Sequence, residues 1–426
     1  MQKGIKNHII REDKEVVDNL PGMLCFGGLS TAFYFKREVL MYSESEVLEY
    51  LEEEDVKFVR LAFFDLNGVQ KNISVLASQM ESVFRDGVSF DASAIYGFET
   101  PEKSDLFLHP DPTTLSVLPW RPNTGKVVRM FCNIRYPDGR PYEKDCRTIL
   151  QNAVKEAKNQ GLEFMFGTEI EFYLFKLDEK GEPTKIPFDN AGYMDIAPED
   201  KGENIRREIC FTLEQMGMQP EASHHEEGPG QNEIDFHYSD AVTAADNAAT
   251  FKWVVRTRAA QNGLYADFSP KPLADKAGSG FHINMSCTDS GKNAMAMAGI
   301  LKHASELTYY LNCSENSYDR LGEHKAPHYI AWGDQNRSTF IRVPATKGSP
   351  RIEIRSADCG CNSYLAFTLL IHAALDGIKN QLLPPPGVTD NLFVKENTSL
   401  EKLPDTLDSA KKIAETSDFI KKVLNF

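Results

Sequence analysis

Two glutamates stand two residues apart in the stretch Gly167-Thr-Glu-Ile-Glu-Phe-Tyr-Leu-Phe175. Side chains alternate along an extended strand, so Glu169 and Glu171 point one way while Ile170, Phe172 and Leu174 pack behind them. Two carboxylates side by side on a half-buried strand repel each other unless a cation lies between them, and a divalent metal supplies one. A solvated strand face is the ordinary reading of an isolated Glu-x-Glu, but here the pattern recurs. Glu226 and Glu233 flank a Gly-Pro-Gly turn. In Phe281 to Ser286, His282, Asn284 and Ser286 share one face. Arg351-Ile-Glu-Ile-Arg355 sends Arg351, Glu353 and Arg355 to one side. Five carboxylates, one imidazole and several guanidiniums on apolar-backed strands suit divalent metal ions and phosphate.

The elements that must position these groups can be read from pattern. Ser43 and Glu46 form a capping box for a helix to about Glu53, with Val47, Leu48 and Leu51 on its apolar face. Val56 to Phe64 reads as a strand, Asn67-Gly68 as a tight turn and Val69 to Val75 as the returning strand. With Val127 to Ile134 these make a small α+β domain over 41–136, and Pro137 to Pro141 reads as a linker. A second domain over 137–426 opens with a helix capped by Asp145 and ending at Gly161. Helices are expected over Glu203 to Met216, Ala244 to Asn262, Asn293 to Leu311 and Ser363 to Leu382, the last stopped by Pro384 to Pro386. Ile420, Val423, Leu424 and Phe426 form a final apolar helical pattern, which docks onto a partner or belongs to a once longer chain.

Residues 1–40 read as an N-terminal extension without a secretory pattern. Lys36 to Leu40 can be encoded by a purine-rich ribosome-binding string, so Met41 is the expected natural start. The net charge of −15 argues against nucleic acid or an anionic membrane as partner. No apolar run reaches the ~20 residues that span a bilayer. The dispersed cysteines, with only Cys359-Gly-Cys361 closely spaced, fit reduced thiols in a cytoplasmic setting rather than a soft-metal site.

From Met41 nearly to the end the sequence resembles the type I bacterial glutamine synthetases. The residues that carry the resemblance are Phe90-Asp91-Ala-Ser93, Gly167 to Glu171, His225-Glu226 with Gly230 to Glu233, Lys271-Pro with Gly278 to His282, Asn336-Arg337-Ser, and Arg351 to Arg355. The resemblance implies an α+β fold, with a small β-grasp domain and a catalytic domain built on a curved antiparallel sheet. It further implies a homo-oligomer, a dodecameric double ring with active sites between neighbours. The implied reaction is ATP-dependent ligation of ammonium to the γ-carboxylate of glutamate through γ-glutamyl phosphate. Two or more Mg²⁺ or Mn²⁺ ions per site would take part, one held by Glu171, Glu226 and Glu233 and a second by Glu169, His282 and Glu353. By the same resemblance Arg337 and Arg342 stabilise the transferring phosphoryl group. Arg342, Arg351 and Ser286 lie at the nucleotide, and Arg320, Arg355 and Gly278 hold glutamate. Asp91 is the acid that takes a proton from ammonium in a neighbouring subunit's site. The residue chemistry agrees, because a carboxylate must be phosphorylated before an amine can displace oxygen from it, and ammonium must lose a proton before it can attack.

The sequence also departs from the family. Its substrate-covering flap, Arg320 to Pro327, is one residue shorter, and Lys325 stands where the family has glutamate. Ala277 replaces an asparagine, Ala94 a serine and Phe393 a tyrosine that some relatives modify with AMP. By the same comparison the family's C-terminal helical tail is expected to be missing after Phe426. Three readings follow: a glutamine synthetase with a modified flap, a γ-glutamyl ligase for another amine, or a non-catalytic regulatory or assembly homologue.

Overall fold

The computed structural model describes residues 42–347 and 350–426. The expected extension over 1–40 and the expected start at Met41 lie outside these residues. In α1 (Glu44–Glu53), the Ser43 hydroxyl accepts from the Glu46 amide and the Glu46 carboxylate accepts from the Ser43 amide, which is the expected capping box. A first sheet follows, made of β1 (Val56–Phe64), β2 (Gln70–Leu76), β3 (Val88–Asp91), β4 (Asp105–Pro110), β5 (Ser116–Val117) and β6 (Lys126–Arg135). Its order is β2-β1-β6-β4-β3, with β1 and β6 parallel and β5 paired to β6. Helix α2 (Met80–Asp86) covers it together with α1.

The second sheet is built on β7 (Phe164–Leu177), which follows α3 (Cys146–Asn159), capped by Asp145 as expected. Its other strands are β8 (Pro183–Pro187), β9 (Pro220–His225), β10 (Gln231–Phe236), β11 (Ser239–Asp240), β12 (Leu264–Asp267), β13 (Phe281–Cys287), β14 (Trp332–Asp334), β15 (Ile341–Val343) and β16 (Ile352–Ile354). The main path runs β14-β15-β16-β13-β7-β10-β9, while β8, β11 and β12 also pair with β7. Every pairing is antiparallel except β14 with β15, so the expected antiparallel sheet is in fact mixed.

The remaining helices are α4 (Glu203–Gln215), α5 (Ala241–Gln261), α6 (Asn293–Lys302), α7 (Ala304–Leu311), α8 (Glu315–Tyr318), α9 (Ser363–Lys379), α10 (Leu407–Thr416) and α11 (Asp418–Leu424). Ile170, Phe172 and Leu174, the apolar side of β7, face this layer and are fully buried. Helix α9 is apolar nearly all round and lies in the middle of that core, as such a helix must. Gly299 of α6 and Gly377 of α9 meet where a β-carbon on Gly299 would come 2.0 Å from the Ala373 carbonyl oxygen.

The single helix expected over Asn293 to Leu311 is broken at His303. Its imidazole Nδ1 lies 2.5 Å from Glu306 and its Nε2 lies 3.0 Å from Asp376, while Phe419 stacks on the ring. The apolar residues at the chain's end dock onto this same chain, with Ile420 and Leu424 buried in the core beneath the second sheet.

The turn between β1 and β2 reaches the second core. Asp65 accepts from the amides of Asn67 and Val69, and Gly68 takes φ +74°, where a β-carbon would come 2.9 Å from the Asn362 α-carbon. Asn362 caps α9 and donates to the Leu66 carbonyl at 3.1 Å.

Candidate active site

Strand register brings the charged faces together. On the β7–β10 pair, Glu233 lies opposite Glu171 and Asp235 opposite Glu169. Across β7 and β13 His282 lies opposite Glu169, and one ligand atom each from Glu169, Glu233 and His282 falls within 4.8 Å of the others. A second such group joins His224, Glu233 and Asp235. Glu226 follows β9, and its amide donates to the Gln231 carbonyl at 2.8 Å to close the Gly228-Pro-Gly230 turn.

These groups line a cavity of about 330 Å³. Of the residues singled out in the sequence, Glu169, Glu171, Glu226, Glu233 and His282 line its acidic end, and Gly278, Arg320, Arg337 and Arg355 line it as well. Gln231 fixes the Glu171 carboxylate at 3.0 Å and the Gly278 carbonyl at 3.1 Å. The Gly280 amide donates to the same Glu171 oxygen at 2.8 Å. Arg320 is 3% exposed and donates to the Ser356 carbonyl at 2.7 Å.

Glu353, Arg342, Arg351, Ser286 and Asp91 do not line this cavity. Glu353 lies behind it with no exposure, 3.8 Å from His282 and clasped by Arg342 and Arg355. Arg351 donates to Asn284 at 2.8 Å, and Asn284 donates to Glu169 at 2.8 Å, so a chain of hydrogen bonds runs along one sheet face from the cavity to Arg351. Ser286 continues that face of β13. Asp91 is exposed at the end of β3 in the first sheet, where it accepts from the Ser93 amide and hydroxyl.

The acidic end is short of positive charge. Burial, reinforced by the Glu171 carboxylate, pushes Glu226 up to about 8 and Glu233 well above the usual carboxylate range. Burial and Glu169 push Asp235 up to about 7. Glu169 differs: burial opposes its ionisation, but hydrogen bonds from His282 and Asn284 outweigh this and hold it at about 2. A site of hard oxygen donors plus one imidazole, whose buried carboxyls repel one another, fits Mg²⁺ or Mn²⁺.

Asp235 and His224 were missed as candidates. Asp235 follows Glu233 by two in Asn-Glu-Ile-Asp, so strand alternation alone would have found it. Beneath the site, His225 is fully buried and bonds the Asp189 carboxylate at 2.9 Å and the Glu226 carbonyl at 2.7 Å. Asp189 also accepts from the Gly230 amide at 2.9 Å. Arg206 ties Asp200 to Asn232. Nothing local in the sequence marks the contacts of Asp189 with His225 and Gly230 or of Arg206 with Asn232, which join residues 26 to 41 positions apart.

At the mouth, the flap loop carries Lys325 into the cavity lining, where it pairs with Glu227 and sits over the Tyr193 ring. Glu323 instead pairs with the buried Lys271 at 3.0 Å.

The family model for the glutamine synthetase catalytic domain matches residues 143–426, and that for the glutamine synthetase β-grasp domain matches residues 55–137. The glutamine synthetase of Methanosarcina mazei is 44% identical over 404 residues, covering 90% of each chain. That of Staphylococcus aureus is 45% identical over 406 residues, covering 90% of this chain and 91% of the relative. Among solved structures, GmaS in complex with ADP superposes with a TM-score of 0.81 at 28% identity, over 88% of this chain and 91% of that one. Plasmodium falciparum glutamine synthetase shares the fold, with a TM-score of 0.79 at 24% identity over 90% and 95%. These matches, over both sheets and the whole acidic cavity, define an α+β ligase. The chain belongs to the glutamine synthetase family and carries its catalytic domain. Among the described residues, no helix is long and apolar enough to cross a membrane.

Proposed function

We propose that the protein joins ammonia to the γ-carboxylate of glutamate at the expense of ATP, through a γ-glutamyl phosphate intermediate. The observation that carries this reading is the cavity itself, which has metal-ligand chemistry at one end and the guanidiniums of Arg320, Arg337 and Arg355 around the rest. Glu171, Glu226 and Glu233 would hold one divalent ion, and Glu169, His282 and Glu353 a second. Such ions, when bound, neutralise phosphate charge and orient the transferring group.

The chain's own groups supply the rest. Arg320 and Arg355, with the Gly278 backbone, bind the glutamate carboxylates, for which a planar fork of donors is suited. Arg337, which lines the cavity, and Arg342, which clasps Glu353 behind it, would stabilise the charge that develops on the phosphoryl group. Arg351 and Ser286, reached along the Asn284 face, would hold the nucleotide; the similar GmaS structure contains ADP. Asp91, exposed at the edge of the first sheet, is free to complete a neighbouring subunit's site and take the ammonium proton. That role requires a homo-oligomer, a double ring of twelve on the family pattern, in which 41–136 and 137–426 serve as the two domains.

A second reading, γ-glutamyl transfer to another amine, is raised by one observation, the altered flap that puts Lys325 at the mouth; its charge would disfavour a cationic polyamine. Purified protein with Mg²⁺, ATP and glutamate, offered ammonium or a panel of amines, separates the two when the amide is identified by mass spectrometry. Glutamine from ammonium supports the first reading, and a γ-glutamylamide formed in preference supports the second. ATP and metal binding without any amide product would overturn both and leave a regulatory homologue.

A further inference from the structure

The loop that carries Lys325 is tightly curled. Gly322, His324 and Lys325 have φ of +89°, +42° and +67°, and the Gly322 amide bonds the Ala326 carbonyl at 3.0 Å. A lysine in the left-handed region is held there against its preference, and such strain collects where a side chain must be aimed. What it aims at is chemically specific. The Lys325 ammonium meets the Glu227 carboxylate, lies 5.3 Å from the centre of the Tyr193 ring and is within the cavity wall. A carboxylate and an aromatic face are the two groups that recognise an ammonium cation. The pair is part-exposed, with side-chain exposures of 47% for Lys325 and 32% for Glu227, so it can open.

We propose that Lys325 is a tethered competitor for the amine: its ammonium occupies the cation site formed by Glu227 and Tyr193, and a free ammonium ion must displace it. This rests on the amine-ligase reading above and adds a residue that sets amine affinity. A small monovalent cation can take the place vacated when Lys325 swings out. A diamine would bring its second charge against the displaced Lys325, so the device selects for compact, singly charged amines.

Two readouts on the full-length protein test this. In Lys325→Gln, the KM for ammonium should fall by about fivefold, the scale of one part-exposed ion pair, while the KM values for glutamate and ATP stay as they were. In Glu227→Gln/Lys325→Gln that gain should vanish. Independently of turnover, crystals soaked in rubidium chloride, a monovalent ion close to ammonium in size, should show an anomalous peak beside Glu227 in Lys325→Gln and none in the wild type. A peak in both proteins or in neither overturns the proposal, as does an unchanged ammonium KM in a variant that retains turnover. If rubidium enters only the variant yet neither protein forms an amide, the competitor role stands and the proposed reaction falls.

Discussion

Glu353 and Arg342 sit directly opposite each other on β16 and β15, and the Arg342 guanidinium approaches the wholly buried Glu353 carboxylate to 2.5 Å. Arg355 takes the other Glu353 oxygen. One carboxylate thus anchors two cations, Arg355 in the cavity lining and Arg342 behind it.

Glu353→Ala should therefore abolish ATP turnover and also loosen the fold. Removing one partner leaves buried guanidiniums without compensation, at a cost of about 3–5 kcal/mol. Thermal unfolding and ATPase assays check both effects. Glu353→Gln keeps the shape and should recover much of the stability but not the activity; recovered activity would refute a metal-ligand role.

Carboxyls pushed up by burial and mutual repulsion make the metal-free protein sensitive to pH. Glu226 shifts from 4.5 to about 8, so between these values the folded chain holds a proton that the unfolded chain has lost. Stability from this group is full at acid pH and drains as pH rises through about 8; Asp235, at about 7, adds in the same direction. Glu169, held at about 2, acts with the opposite sign but only at more acid pH. Calorimetry in EDTA should show a loss on the order of 2 kcal/mol from about pH 6 to about pH 8. Added Mn²⁺ should reverse it, with a larger rise in Tm at the higher pH. A Tm that does not fall over this range in EDTA would contradict the charge deficit.

His225 and Asp189 brace both ends of the turn between Glu226 and Glu233 without touching the cavity. His225→Gln and Asp189→Asn should weaken Mn²⁺ binding by about 10–100-fold, as removal of ligand-orienting contacts does. Titration followed by electron paramagnetic resonance measures this. Circular dichroism should remain native, which separates orientation of the ligands from loss of the fold.

Gly377→Ala tests the packing of α6 on α9. A β-carbon there would come 2.1 Å from the Met295 carbonyl oxygen, so the helices must move apart. Overpacking of this kind costs about 1–3 kcal/mol, to be read from the denaturant midpoint. An unchanged midpoint would mean that the two helices slide freely.

Much of this was legible in the sequence because it follows from period and punctuation. The capping box at Ser43, the strand from Val56 to Phe64, the Asp145 cap and the charged faces around Glu169 and Glu233 are local signals. The break at His303 was not legible, and one of the groups that hold its ring there, Asp376, lies 73 residues away. The parallel β14–β15 pair and the self-docking of Ile420 and Leu424 likewise depend on distant partners. Asp235 was legible by alternation and passed over. The pairing of Lys325 with Glu227 joins the flap loop to the turn between β9 and β10, and no spacing announces it.

Strand β7 pairs with β8, β10, β11, β12 and β13, and the contact between Glu169 and His282 spans 113 residues. Contacts so far apart in the chain close slowly and late. During synthesis, the carboxylates of β7 emerge well before the imidazole and the buried Glu353 that complete their surroundings. Capture of a cation there would therefore mark the end of folding rather than seed it, the reverse of small domains that are unfolded until metal arrives.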